Sequence, residues 1–326
     1  LSIASGATLD LQSTQTFATL NLNGTISNST GSSALTIAGA SDIGGSITTS
    51  GTQTYSGAVV LSNDVTLTTT DSNITFAVTV DGDGTARDLT IDMDNSGVSA
   101  DGTVQFANTV GANNSLDVID ITGNLNLDAA ISNTTSLSVS GTSNLGADVT
   151  TSGTQTYTSA VTLSGGDRIL TGTIINFGST LAGGTNGLTI TGNLDLDGAA
   201  TGLTTLEVSG TSNLGASVTT SSTQTYSGDV TISADISLNT SGGDVTFDGD
   251  VNTNITGATY GSAVILQLLG NGSYDYDGIT GTASSSASIL GDGSLTYSDG
   301  SYVWTLSSNA SADALIVGGG GSGGGA

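Results

Sequence analysis

Apolar and polar residues alternate along most of the chain. Ala58 to Val80, AVVLSNDVTLTTTDSNITFAVTV, shows the pattern: short runs of Val, Leu, Ile and Phe at every second position. Gly, Asn, Asp or Ser interrupts the runs every few residues. A period of two places successive side chains on opposite faces of a strand, so each run predicts a strand with one buried face. The interrupting residues are those that tolerate turn conformations. No stretch sets apolar residues at helical spacing between a cap and a stop, so essentially no helix is predicted.

The chain repeats itself. Leu35 opens LTIAGASDIGGSITTSGTQTYSGAV, Leu137 opens LSVSGTSNLGADVTTSGTQTYTSAV, and Leu206 opens LEVSGTSNLGASVTTSSTQTYSGDV. These copies place Tyr55, Tyr157 and Tyr226 at one equivalent position. A degenerate copy, STQTFATLNL, puts Phe17 there. ITGNLNLD from Ile121 returns as ITGNLDLD from Ile190. Inside these units runs a shorter period: Phe76, Phe177 and Phe247 follow the three Tyr by 21, 20 and 21 residues. About 20 residues is one coil of a parallel β-helix, in which each turn of chain stacks on the last. The expectation is therefore an all-β parallel β-helix, a β-solenoid with coils of about 20 residues. Equivalent residues of successive coils then lie about 4.8 Å apart, and the aromatic residues Phe17, Tyr55, Phe76, Tyr157, Phe177, Tyr226 and Phe247 form a structural stack. The separations of 102 and 69 residues between the Tyr are not both whole multiples of one coil, which implies variable coil lengths or intervening loops.

Composition supports a thin core. The apolar content is mainly Leu, Ile, Val and Ala, with one Trp, five Phe and eight Tyr in 326 residues. One layer of aliphatic side chains needs little aromatic bulk. Pro is absent, as suits a fold in which nearly every backbone N–H bonds a neighbouring coil.

Two basic residues, Arg87 and Arg168, face 28 acidic ones, giving a net charge of −26. That balance excludes nucleic acid and insertion into an anionic membrane, both of which need a basic patch. No window approaches the roughly 18 apolar residues that span a bilayer. Cys and His are absent, so Ser-His-Asp, Cys-His and zinc chemistry are excluded. Without Lys there is no phosphate-binding P-loop. Carboxylate pairs such as Asp195/Asp197 could serve a glycosidase, since i and i+2 share a strand face. Arg87 and Arg168 are the sole cations available to help, so no catalytic residue is assigned and the chain is expected not to be an enzyme. Calcium is the better use of such pairs, because hard carboxylate oxygens suit it. The candidate ligands are Asp81, Asp83, Asp88, Asp92 and Asp94, then Asp248 and Asp250, then Asp275 and Asp277.

The repeat language fades near the end. Residues 1–255 make the repetitive solenoid, 256–317 a small aromatic-rich C-terminal β unit, and 318–326 a Gly-rich tail. Tyr274, Tyr276, Tyr302 and Trp304 are the candidate binding surface, because exposed aromatic rings can stack on sugars. A start at Leu1 rather than Met reads as a processed product or a segment of something longer.

TSGTQTYSGAVVLSNDVTL and its relatives at Thr151 and Thr220 resemble the β-strand repeats of filamentous-haemagglutinin-type adhesins and autotransporter passengers of Gram-negative bacteria. SYVWTLSSNASADALIVGGGGSGGGA is similar to glycine-rich domains of surface proteins and phage adhesins. The first resemblance implies a right-handed parallel β-helix exported to the cell surface, with adhesion or fibre formation as its role and no catalytic residues. The expected function is a structural, extracellular fibre or rod subunit that forms homo-oligomers or filaments. The alternatives are an adhesin stalk that binds a glycan or other cell-surface ligand, and a phage tail-fibre component.

Overall fold

The computed structural model describes residues 1–94 and 101–252 with their side chains, and beyond them the backbone of the strands Val251–Thr253, Ile265–Leu269, Gly272–Tyr276, Ile279–Ala283, Ala287–Leu290, Gly293–Ser298 and Ser301–Leu306. The described chain is all β. It winds as a parallel β-solenoid of about 12 coils roughly 20 residues apart.

Each coil has three short strands separated by corners. The first three strands, Ser2–Ile3, Thr8–Asp10 and Gln15–Phe17, open the first, second and third faces in turn. The second coil repeats them one layer up: Ser2 pairs with Asn21, Leu9 with Ile26, and Gln15 with Leu35, all parallel. The cause is local. A typical strand has the burial pattern buried–open–buried, as in Gln53–Tyr55 or Ser212–Leu214, so three residues place two side chains inside before a corner turns the chain. Corners are rich in Gly because coils meet there backbone to backbone. A methyl group at Gly192 would stand 1.8 Å from the Gly172 carbonyl oxygen, and Gly192 itself has φ +138°.

Coil lengths vary, from 17 residues between Leu9 and Ile26 to 30 between Ile74 and Val104. Some strands run around a corner without a break. Ile131–Val139 begins on the first face, beside Val149, and ends on the second, beside Tyr157.

The interior is a set of vertical columns. On the third face Phe17, Ile37, Tyr55, Phe76 and Phe106 follow one another in register. On the second, Val139, Tyr157, Phe177 and Leu196 do so. On the first, Val208, Tyr226 and Phe247 do so. Apart from Phe17, which is half-buried, all these side chains are buried.

Coil lengths vary, as the long spacings implied, and the wall changes from copy to copy as well. The three TQTY copies lie on three different faces. From Tyr55 on the third face to Tyr157 on the second is four coils and two-thirds of another. From Tyr157 to Tyr226 on the first is three coils and two-thirds. Each recurrence therefore adds two-thirds of a turn. The phrase carries its rung chemistry with it whichever wall it forms.

After Thr253 the pairing changes character. Leu266–Leu269 and Tyr274–Tyr276 still lie parallel to Ile236–Asn239 and Val245–Phe247. Gly272–Tyr276 with Ile279–Ala283, and Gly293–Ser298 with Ser301–Leu306, are antiparallel hairpin pairs.

Candidate functional site

The most elaborate chemistry lies inside the rod. In each TQTY copy the Gln and Tyr are two apart, so strand parity turns both inward, and all six side chains are fully buried. Tyr55 Oη donates to Gln53 Oε1 at 2.9 Å, Tyr157 to Gln155 at 3.0 Å, and Tyr226 to Gln224 at 3.2 Å. The Gln Nε2 then donates to a backbone carbonyl one coil up: Thr68 at 2.9 Å, Thr171 at 2.8 Å, Asn239 at 3.0 Å. It also reaches the hydroxyl of Thr49, Thr151 or Thr220. Each Thr hydroxyl in turn donates to the carbonyl two residues on, at Gly51, Gly153 or Ser222. Every polar atom of the module is satisfied, which is what makes it tolerable in a dry interior. Burial pushes all three Tyr hydroxyls well above the ordinary phenol value.

On each Tyr ring lies the Phe of the next coil. Tyr55 and Phe76 stack with centroids 5.0 Å apart, Tyr157 and Phe177 5.5 Å, Tyr226 and Phe247 5.4 Å. Phe106 adds a third ring on Phe76 at 5.2 Å. Phe17 does not join an aromatic stack: its register partner is Ile37, and its ring is half-buried. The Gln of this module was not singled out by sequence reasoning. Its parity with the Tyr was the signal that could have found it.

The acidic candidates are placed apart and engaged one by one. The Asp81 side chain is buried, and its carboxylate caps the turn of the coil above, accepting from Asn113 N and Nδ2 at 2.9 Å each. Asp83 grips Arg87 at 2.9 Å and accepts from Thr85 N; the guanidinium holds its carboxyl down at about 2. Asp88 accepts from Val118 N, and Asp92 from Asp94 N. Asp248 and Asp250 are exposed. Among the described residues no group of three or more acidic side chains stands together as a metal cluster. Asp277 and the side chain of Asp275 lie outside the described residues, as do the side chains of Tyr274, Tyr276, Tyr302 and Trp304. The second cation, Arg168, spans two corners, donating to Gly146 O at 2.8 Å and Gly166 O at 3.0 Å.

Outward positions also form ladders. On the second face the Asp195 carboxylate sits between Asn176 and Asn213, accepting from both. On the third, Asn144 Nδ2 donates to Asn126 Oδ1 at 2.7 Å, and Gln105 Nε2 to Asp128 at the corner. Thr103, Asn124, Asn126, Thr142, Asn144 and Thr162, together with Leu125, Ser143 and Ala160, line an open groove of mixed polar and apolar surface there. Its Thr hydroxyls and Asn amides stand at the spacing of the rungs.

Compared with known proteins, the chain matches no family model, no curated protein and no solved structure.

Proposed function

We propose that this chain is a non-catalytic structural rod, a segment of an extracellular or cell-surface fibre that self-associates. The observation that carries the reading is what the chain repeats. The recurring TQTY phrase invests its distinctive residues in the interior, in the Thr–Gln–Tyr network and the ring stack above it, and does so on all three walls. A ligand site repeated for avidity would repeat outward residues on one wall. A module repeated to stiffen a stack repeats inward residues and is indifferent to the wall. The acidic skin fits an exposed rod, since like charge keeps such particles dispersed. The TQTY phrase's resemblance to surface-fibre repeats points the same way.

Sedimentation velocity on the purified chain, together with negative-stain microscopy of the native source material, tests this. The expected results are a frictional ratio well above that of a sphere and rods or filaments of uniform width at the cell surface. A compact frictional ratio, or exclusively intracellular material, would overturn the reading.

A further inference from the structure

The charge of −26 is distributed unevenly over the three walls. Outward positions of the first face carry Asp42, Asp148 and Glu207; those of the second carry Asp10, Asp92, Asp120 and Asp195. The third face differs. Its twelve strands from Gln15–Phe17 to Ile236–Thr240 stack in one parallel sheet. Two outward columns run up it, one from Thr14 to Ser237 and one from Thr16 to Asn239. Every residue in both columns is Thr, Ser, Asn, Gln or Ala, and none is charged. Thr16, Thr36, Thr54 and Thr75 form an unbroken ladder of one residue type. The nearest carboxylates, Asp71, Asp101, Asp128 and Asp235, stand at corners or strand ends. The residues of both columns are half-buried or exposed.

We infer that this uncharged third face is the surface by which two copies of the chain pair side by side. The inference rests on the rod reading above and names its contact. Two such rods repel wherever their acidic walls approach, so the neutral wall is where contact costs least. The face is chemically self-complementary: hydroxyls and amides each both donate and accept, so a two-fold partner supplies what the other lacks. Size fits as well. Twelve rungs make a strip about 55 Å long and about 13 Å wide. Pairing two strips buries on the order of 1,400 Å², inside the range of stable specific interfaces. The Thr methyls and the Ala residues supply apolar area between the polar ladders.

The test is sedimentation velocity of the whole chain up to about 100 μM, at about 0.02 M and about 0.5 M NaCl. A reversible monomer–dimer equilibrium is expected, tighter at high salt because screening weakens repulsion between the acidic walls. The double variant Thr54→Asp with Asn144→Asp puts charge on the third face and should weaken pairing by at least about tenfold. The matched variant Thr156→Asp with Thr231→Asp adds the same charge to the second face and should change it by less than about threefold. Far-UV circular dichroism checks that both variants fold; a third-face variant that fails to fold is replaced by Thr162→Asp. A monomer at every concentration and salt overturns the inference, as does a dimer untouched by third-face charge. So does a monomer that instead loses retention on an uncharged polysaccharide when the third face is charged. The frictional ratio from the same runs judges the rod reading separately.

Discussion

The Tyr157 hydroxyl donates a 3.0 Å hydrogen bond to Oε1 of Gln155, two residues back on the same strand, and neither side chain touches solvent. The pair joins a backbone carbonyl of the next coil, Thr171 O, to the ring column above, so one contact ties strand, rung and stack together.

Replacing Gln155 by Leu removes the partner of the Tyr157 hydroxyl and takes the 2.8 Å amide donor from the Thr171 carbonyl, leaving it only the longer 3.4 Å contact from the Thr151 hydroxyl. Chemical denaturation followed by circular dichroism should show a loss of about 2–4 kcal/mol, the cost of stranding buried polar groups. The pair Gln155→Ile with Tyr157→Phe should cost less than the sum of its single changes, because no hydroxyl is left stranded. The next coil already carries that apolar version as Ile175 and Phe177, in register with Gln155 and Tyr157. Additive losses would refute the coupling.

Phe76 lies between two rings, Tyr55 below and Phe106 above, while Phe177 touches one. Phe76→Ala and Phe177→Ala should each destabilise by about 3–5 kcal/mol. The Phe76 change should be the larger by about 0.5–1.5 kcal/mol, the worth of one extra stacked pair. Equal losses would mean the second ring contact adds nothing beyond burial.

Gly192→Ala should be among the most damaging single changes in the chain. The added methyl meets the Gly172 carbonyl, and φ +138° is a conformation L side chains rarely adopt. A loss of about 2–4 kcal/mol is expected. Gly6→Ala, with open space around the site, meets no such clash and should be milder.

Alkali should unfold the rod through its buried phenols. The pKa of Tyr55, Tyr157 and Tyr226 is raised from the ordinary 10.0 by burial. Below pH 10 both folded and unfolded states keep these protons, and the stability is fully present. Above it only the unfolded state releases them, so stability falls with each further step in pH. Tyrosinate absorbance at 295 nm should therefore rise for these three in one step with the loss of the β signal. Changing all three to Phe should remove that step.

The fold class was legible because it depends on local parity. Alternating residues such as those of AVVLSNDVTL can bury one face only as strands, and a Tyr-to-Phe interval near 20 brings Tyr55 onto Phe76 once strands stack in parallel. The acidic candidates were less legible. Asp81 and Asp83 look like a pair in sequence, yet one turns to the Asn113 corner and the other to Arg87. Adjacency along a strand does not say which corner of another coil lies beside a carboxylate.

Period-two alternation is a property of the strand alone, so the residues already specify stacked strands with Tyr and Phe on the inward parity. Which wall each phrase builds emerges from the winding, and with it the placing of three like phrases on three walls and the uncharged columns of the third. Rotation about the axis accumulates with every corner residue. A coil of 17 and a coil of 30 both return the chain to the same column, and no local rule counts the turns between them.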